Sequence, residues 1–204
     1  MNNSKFNIFI NKKTVSIFDR GFNYGDGLFE TILVKNSSPL YLKDHIRRLH
    51  EGCLKLNINK PPSLLIKNNI KKCIGKNNNC IIKIILTRGS GSFGYEILNS
   101  TTPNIYFIKI NNDKKERQPV SPMNLGISQY KIKENKYLSR IKHMNRIDQA
   151  LIANELNKNN KFNDLLVTNN GLIIETLASN IFFVKESKNK LLFYTPQLDD
   201  YGID

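Results

Sequence analysis

The sequence predicts a two-lobed protein of the α+β or α/β class, and three observations support this. Short strand patterns alternate with longer helical patterns along the whole chain. The 204 residues are 40% hydrophobic, which is enough for one large core or two small ones. A polar and charged stretch at 111–119 is typical of a connection between lobes. We therefore expect a smaller N-terminal lobe at 1–112, a linker at 113–119 and a larger C-terminal lobe at 120–204.

The N-terminal lobe is predicted to contain strands and two helices. Two short alternating runs around a polar turn suggest a hairpin, and near-continuous Ile and Phe runs suggest buried strands. Asp44 is expected to cap the first helix, whose apolar residues recur at helical spacing at Ile46, Leu49, Cys53 and Leu56. The predicted strands are 6–10, 14–18, 29–35, 41–42, 80–87 and 104–110, and the second helix runs from 61–63 to about 74.

The C-terminal lobe is predicted to contain one amphipathic helix among short strands. The helix covers 146–156, with Ile147, Ala150, Leu151 and Leu156 on or near one face. An Asn-Asn-Gly sequence at 169–171 is typical of a tight hairpin turn. The predicted strands are 125–130, 164–168, 172–174, 181–184 and 191–194.

The chain is strongly basic, with a net charge of +14 and a pI of about 9.7. A basic balance can indicate a nucleic-acid partner. Here the excess lysines are scattered among Asn and Ile, the residues that AT-rich codons produce, so we expect no nucleic-acid partner. The charge should still attract anionic small molecules through long-range steering.

Cysteine usage and hydropathy indicate a cytoplasmic protein. Cys53, Cys73 and Cys80 show no metal-ligand spacing, and we expect reduced, buried thiols and no metal. No apolar run reaches the roughly 18 residues of a transmembrane helix, and the N-terminus lacks the apolar segment of a secretory signal. We therefore expect no membrane partner.

Two residues suit chemistry with pyridoxal 5'-phosphate. Lys142 lies in the run IKHMNRIDQ at 141–149, where an irregular segment gives way to a helical pattern. Glu175 opens the run ETLASNIF at 175–182, where a polar patch leads into a strand. A lysine can carry this cofactor as a Schiff base and then act as a general base, and a carboxylate can keep the pyridine nitrogen protonated.

Four separated motifs resemble the fold-type IV pyridoxal-phosphate enzymes, the branched-chain and D-amino-acid aminotransferase family. They are FDRGFNYGDGLFET at 18–31, HIRRL at 45–49, and the runs around Lys142 and Glu175. The resemblance implies two lobes with the cofactor between them, the Schiff base on Lys142, the pyridine nitrogen on Glu175 and the cofactor phosphate on Arg48. A guanidinium suits a phosphate because it stays charged and offers paired donors. Arg47 is interpreted as a solvated helix residue.

Within this family the chain is most similar to the aminodeoxychorismate lyase branch. The similarity lies in RGSGSFGY at 88–95, LNS at 98–100, IKHMNR at 141–146 and YTPQLD at 194–199. It implies conversion of 4-amino-4-deoxychorismate to 4-aminobenzoate and pyruvate, with Arg88 and Tyr95 near the substrate, in a homodimer. Phe93 stands where this branch often has an arginine.

Other functions remain open at this stage. The chain could be a branched-chain or D-amino-acid aminotransferase of the same fold, or an inactive remnant or basic binding protein on that scaffold. The resemblance also implies a phosphate-binding helix start and final strands beyond Asp204, with residues 201–204 as the approach to them. A C-terminally truncated chain of this fold is expected to bind the cofactor weakly and to aggregate, because it would lose phosphate donors and expose a sheet edge.

Overall fold

The computed structural model describes residues 5–75, 79–91, 94–98, 100–112, 122–132, 135–188 and 190–197. Contacts divide the chain into two units. The first comprises Met1–Glu116 and Ile141–Asn145, and the second comprises Arg117–Arg140 and Arg146–Asp204. The predicted linker at 113–119 lies outside the described residues, so the lobe boundary there stays a prediction. Lys142 groups with the first unit rather than with the C-terminal residues on either side of it.

A five-stranded mixed sheet forms the framework of the first unit. Its order is β1-β5-β4-β2-β3, in which β1 runs parallel to β5 and the other neighbours are antiparallel. The strands are β1 (Asn7–Ile10), β2 (Gly27–Lys35), β3 (Ser38–Pro39), β4 (Cys80–Thr87) and β5 (Asn104–Asn111). Alternate residues of β2 and β4 are buried, as a sheet with one covered face requires.

Helices cover one face of this sheet. A short helix α1 (Arg20–Tyr24) precedes β2, and α2 (Leu42–Leu56) and α3 (Ser63–Ile74) pack on the sheet. Ile46, Leu49 and Cys53 of α2 are buried, which confirms the predicted stripe. Gly52 lets α2 approach β2 closely, because a Cβ there would lie 2.7 Å from Leu28 Cδ2. The helices thereby fix α2 side chains against the N-terminal half of β2.

The residues around Lys142 extend this sheet. The Phe29 N–H donates to the Lys142 carbonyl oxygen at 2.8 Å, and the Met144 N–H donates to the Gly27 oxygen at 2.9 Å. Leu28 and His143 lie opposite each other between these two hydrogen bonds and form an antiparallel β-bridge. Ile141–Asn145 is therefore held along the edge of β2 as a short added strand.

The second unit contains two separate sheets and a helix. A three-stranded sheet has the order β6-β7-β8, and a hairpin is formed by β9 and β10. The elements are β6 (Leu125–Ile127), α4 (Ile147–Asn157), β7 (Asp164–Asn169), β8 (Leu172–Thr176), β9 (Phe183–Ser187) and β10 (Lys190–Tyr194). Its core joins Ile152 to Leu165 and Val167. The mixed α/β character predicted from the sequence is confirmed in both units.

Two predictions in the N-terminal part are wrong. Residues 14–18 form no strand, because β1 pairs with β5 far along the chain instead of with its sequence neighbour. Tyr41 is the N-cap of α2, so no strand resumes at 41–42, and Asp44 lies in the first helical turn instead of capping it.

Two predictions in the second unit also need correction. Strand β6 ends at Ile127, because the Glu155 carboxylate accepts from the Gln129 N–H at 2.9 Å and removes that amide from strand pairing. The buried residue of α4 is Ile152, whereas Ile147 is 68% exposed. The apolar stripe of α4 is therefore rotated from the predicted one.

Among the described residues, none of the helices combines the length and apolar character needed to cross a bilayer.

Candidate active site

Lys142 lies on the face of the added strand that it shares with Phe29. Its Nζ is 5.2 Å from the centroid of the Phe29 ring, and the residue is half-buried. Lys83 of β4 approaches the same ring at 5.5 Å. The main-chain bonds on either side of Lys142 fix the direction in which its side chain leaves the backbone. The structure therefore presents a positioned amine at the β2 edge.

Arg48 lies on α2 and is bound by the buried carboxylate of Glu30, the residue that follows Phe29 in β2. Its Nε donates to Glu30 Oε1 at 2.7 Å and its Nη2 donates to Glu30 Oε2 at 2.6 Å. His45 Nδ1 donates to Glu30 Oε2 at 2.7 Å. Glu30 is 1% exposed, and the Arg48 side chain is 15% exposed. A bidentate pair of this kind fixes the plane of the guanidinium.

The electrostatics of Glu30 follow from these contacts. Burial alone would raise the pKa of this carboxyl, but hydrogen bonds from Arg48 and His45, and their charges, lower it below its usual value. Glu30 therefore stays ionised at neutral pH and balances the Arg48 charge within the protein.

Arg88 occupies a structural position. Its guanidinium donates to both carboxylate oxygens of Asp26, at 2.7 and 3.0 Å, and to the carbonyls of Leu56 and Asn57 at 2.7 and 2.8 Å. Arg88 is only 8% exposed. It thus closes the C-terminal end of α2, and its predicted contact with a substrate finds no support in this geometry.

Tyr95 lies at an exposed loop that Arg20 holds in place. The Arg20 guanidinium donates to Asp26 and to the carbonyls of Gly94, Tyr95 and Glu96. The Tyr24 ring lies 5.4 Å from the Tyr95 ring. Tyr95 is 84% exposed, so its side chain is available to a ligand. Phe93, the predicted departure from the lyase pattern, lies outside the described residues.

Glu175 belongs to the second unit, on β8 opposite Val167 of β7. Burial lowers the pKa of Arg146, and the nearby Glu175 and Asp148 carboxylates oppose that shift. Tyr130 donates its hydroxyl to Asp148 at 2.6 Å, which raises the pKa of the tyrosine. An arginine at the start of α4 therefore shares the neighbourhood of Glu175 with a second carboxylate.

A cavity of about 200 Å³ lies on the open face of the first sheet. Asp19 lines it, is fully buried, and accepts from the Gly21 N–H, Thr87 Oγ1 and Asn104 Nδ2. Met144, two residues after Lys142, lines the same cavity. The sequence alone indicates no role for Asp19, because two of its polar partners, Thr87 and Asn104, come from distant strands.

The structure describes Lys142 and Arg48 in the first unit and Glu175 in the second. Lys142 contacts Phe29 and Arg48 contacts Glu30, two consecutive residues of β2 whose side chains leave opposite faces of the strand. Glu30 was missed as a site residue, although it lies within the recognised motif at 18–31. The available signal was an acidic residue in an otherwise apolar strand pattern. Residues 201–204, expected to approach a phosphate-binding element, lie outside the described residues.

The described residues contain no cluster of His, Cys, Asp or Glu suited to a metal ion. The three cysteines are free and buried, as predicted, and burial raises the pKa of Cys53 to about 12. These thiols are protonated at neutral pH and unsuited to nucleophilic chemistry.

Comparison with known proteins identifies the family of the chain. The profile of the family described as amino-transferase class IV matches residues 27–204. An aminodeoxychorismate lyase of Vibrio harveyi is 30% identical over 195 residues, covering 93% of this chain and 69% of that protein. A putative branched-chain-amino-acid aminotransferase of Methanocaldococcus jannaschii is 28% identical, covering 84% of this chain and 60% of that protein.

Solved structures share the fold. The crystal structure of 4-amino-4-deoxychorismate lyase from Pseudomonas aeruginosa matches with a TM-score of 0.77 at 26% identity, covering 94% of this chain and 70% of that one. A branched-chain amino acid aminotransferase from Escherichia coli matches with a TM-score of 0.80 at 16% identity, over 94% of this chain and 64% of that one. The fold is thus the fold-type IV architecture that the sequence predicted, and the chain belongs to the class IV aminotransferase family.

Proposed function

We propose that this protein is a pyridoxal-phosphate-dependent lyase that converts 4-amino-4-deoxychorismate to 4-aminobenzoate and pyruvate. The observation that carries the proposal is the amine of Lys142, which main-chain hydrogen bonds hold at the edge of β2 and whose Nζ lies 5.2 Å from the centroid of the Phe29 ring. A positioned amine and a guanidinium held in a fixed plane are the donor set that an aldehyde-bearing phosphate ester requires.

The chemistry of three residues suits this cofactor. Lys142 would hold its aldehyde carbon, Arg48 its phosphate, and Glu175 its pyridine nitrogen. When bound, the cofactor supplies an electron-withdrawing ring that stabilises negative charge at the carbon bearing the substrate nitrogen. Glu175 would contribute a negative charge that favours a protonated pyridine, and the charge of Arg146 lies near it.

Lys142 has the second task of moving a proton. Its Nζ would act as the general base that takes the proton from the substrate ring carbon bearing nitrogen. Loss of that C–H proton and cleavage of the neighbouring C–O bond would release enolpyruvate and leave an aromatic ring. The enolpyruvate would take up a proton at its methylene carbon to become pyruvate, which balances the proton lost from the ring. Formation of the aromatic product makes the reaction strongly favourable, and no amino acceptor is consumed.

Two of the relatives support the lyase. Aminodeoxychorismate lyases of Vibrio harveyi and Bacillus subtilis are 30% and 26% identical to the chain. A D-alanine aminotransferase of Bacillus licheniformis, at 26%, supports transamination as the second candidate. Exposed Tyr95 is proposed as a substrate contact. Arg88 is proposed to have a structural role, in which it binds the carbonyl oxygens at the C-terminal end of α2.

A direct assay separates the two reactions. The protein, loaded with pyridoxal phosphate, is incubated with 4-amino-4-deoxychorismate, and pyruvate and 4-aminobenzoate are measured together. Equal amounts of both, with no requirement for a keto acid, are expected. Amino transfer from D-alanine or leucine to 2-oxoglutarate without pyruvate release from aminodeoxychorismate would establish the aminotransferase instead. Loss of both activities in Lys142→Ala is the control for the assigned amine.

A further inference from the structure

The carboxylate of Glu30 stands in an unusual place for a phosphate site. It is almost fully buried, and its two oxygens accept hydrogen bonds from one edge of the Arg48 guanidinium, from Nε at 2.7 Å and from Nη2 at 2.6 Å. An anion so close to an assigned phosphate ligand reduces the net positive charge there. On charge alone, Glu30 would weaken the binding of a phosphate.

The geometry supplies a compensating effect. Glu30 occupies the Nε–Nη2 edge of the guanidinium, so the plane and direction of the Nη1 group are set by a rigid, buried partner on a sheet strand. An arginine has several rotatable bonds, and ordering it upon binding costs affinity. An arginine that is already fixed avoids that cost, as oriented ligands do in other sites.

His45 completes the arrangement. It lies three residues before Arg48 on α2, and its Nδ1 donates to Glu30 Oε2 at 2.7 Å. Because His45 and Arg48, both on α2, donate to Glu30, its carboxylate is held in one orientation on β2. The cluster therefore links the helix that carries Arg48 to the strand against which Lys142 lies.

We infer that Glu30 is a positioning residue that orients Arg48, through its Nε–Nη2 edge, so that the Nη1 edge meets the phosphate of the cofactor. This inference rests on the proposed function, because it assumes that Arg48 binds that phosphate. Glu30 itself touches neither phosphate nor substrate in this account. Orientation outweighs the unfavourable charge of the carboxylate.

The test uses the difference between two ligands that share the pyridoxal ring. Affinities of the whole protein for pyridoxal 5'-phosphate and for pyridoxal, which lacks the phosphate, are measured by absorbance titration. The ratio of the affinity for pyridoxal 5'-phosphate to the affinity for pyridoxal separates the contribution of the phosphate from general effects on folding. In Glu30→Gln the ratio should fall by about tenfold or more, the loss expected for one charge-assisted contact. An unchanged or increased ratio in folded E30Q overturns the inference, since charge would then outweigh orientation.

Two further variants keep the test decisive if E30Q folds poorly. Glu30→Asp retains the charge but is one methylene too short for the same bidentate contact, so its ratio should also fall. In an Arg48→Met background, adding E30Q should leave the ratio unchanged, because Glu30 acts through Arg48. A full second loss in that background contradicts a positioning role.

A matched control lies on the same helix. Arg47 and Glu51 form an exposed pair at 3.1 Å, with side chains 50% and 45% exposed. Glu51→Gln should leave the ratio unchanged. If the wild-type protein binds both ligands equally, the proposed phosphate site itself fails. If it favours the phosphate ester and E30Q does so equally well, only the role of Glu30 fails.

Discussion

Two lysines approach the ring of Phe29, and only one of them is assigned chemistry. Lys142 Nζ lies 5.2 Å and Lys83 Nζ lies 5.5 Å from its centroid. Lys142 differs because its backbone is bound to the edge of β2, whereas Lys83 projects from the middle of β4. We predict that borohydride reduction of the protein with pyridoxal phosphate labels Lys142, as found by peptide mapping.

Lys83 is the matched control for this label. Lys83→Ala should keep the reduced adduct on Lys142 and the visible absorbance of the bound cofactor, and Lys142→Ala should lose both. An adduct recovered mainly on Lys83, or on any other lysine, contradicts the assignment.

A second prediction at this scale concerns acid stability. The pKa of Glu30 is lower in the folded protein than its reference value of 4.5, so its ionised form stabilises the fold above that pH. This contribution is lost as the pH falls through the folded-state pKa. Urea unfolding should show Glu30→Gln to be less stable by about 3 kcal/mol at pH 7, the typical cost of leaving a buried charge unpaired. The difference should shrink below pH 4.5.

The exposed pair on α2 again provides the comparison. Glu51→Gln is expected to change the free energy of unfolding by no more than about 0.5 kcal/mol, because exposed ion pairs are screened by solvent. A difference between wild type and E30Q that stayed constant down to pH 2 would show that charge is not what Glu30 contributes.

At the scale of elements, the contact between α2 and β2 depends on a missing side chain. A Cβ on Gly52 would lie 2.7 and 2.8 Å from the two Cδ atoms of Leu28, which is 1% exposed. Alanine in a helix normally gains about 1 kcal/mol over glycine. Overpacking a core typically costs about 1–3 kcal/mol. We predict that Gly52→Ala destabilises the protein in thermal unfolding and weakens cofactor binding, since α2 carries Arg48.

Removal of the clash should reverse the effect. Leu28→Val takes away one methylene, so the double variant G52A/L28V should recover part of the lost melting temperature. A Gly52→Ala protein more stable than wild type would mean that α2 can shift outward without cost.

The elements show which parts of the fold the sequence could predict. Strand β4 and helix α3 were predicted well, because a continuous apolar run and a helical period are local signals. The hairpin at 6–18 was wrong because β1 takes its partner from β5, about 100 residues away, and local alternation carries no information on that choice. The added strand at Ile141–Asn145 was missed for the same reason.

The candidate site divides in the same way. Lys142, Arg48 and Glu175 were predicted because each lies in a recognisable local motif, and their roles stay predictions. Glu30 was not predicted, because its proposed role depends on a contact between a strand and a helix 18 residues later. The substrate role predicted for Arg88 rested on a glycine-rich loop. The structure instead gives its donors to Asp26 and the end of α2.

At the scale of the whole molecule, we predict a homodimer, as the resemblance to fold-type IV enzymes implies. Large apolar side chains are exposed around α1, with Ile17 at 66%, Phe18 at 45% and Phe22 at 63% exposure. Clusters of this kind commonly mark an interface. Sedimentation at micromolar concentration should give a species of twice the 23.5 kDa chain mass.

Salt provides a check on the nature of the association. An apolar interface should persist at about 0.5 M salt, where charge interactions between the basic chains are screened. A single species near 23.5 kDa, both at low salt and at the higher salt concentration, contradicts the dimer.

The added strand also constrains the order in which the chain can fold. Phe29 and Lys142 are hydrogen-bonded neighbours separated by 113 positions (142 minus 29). During synthesis, the edge of β2 near Phe29 therefore has no hydrogen-bond partner from Ile141–Asn145 until residue 145 has left the ribosome. The chain segment that connects the two paired strands is long, so their pairing carries a large loop-closure entropy. Exposed edges invite pairing with other chains. Lys142, the proposed cofactor lysine, thus lies in the segment that completes the first sheet. A nascent chain that stalls before this segment should depend on chaperones.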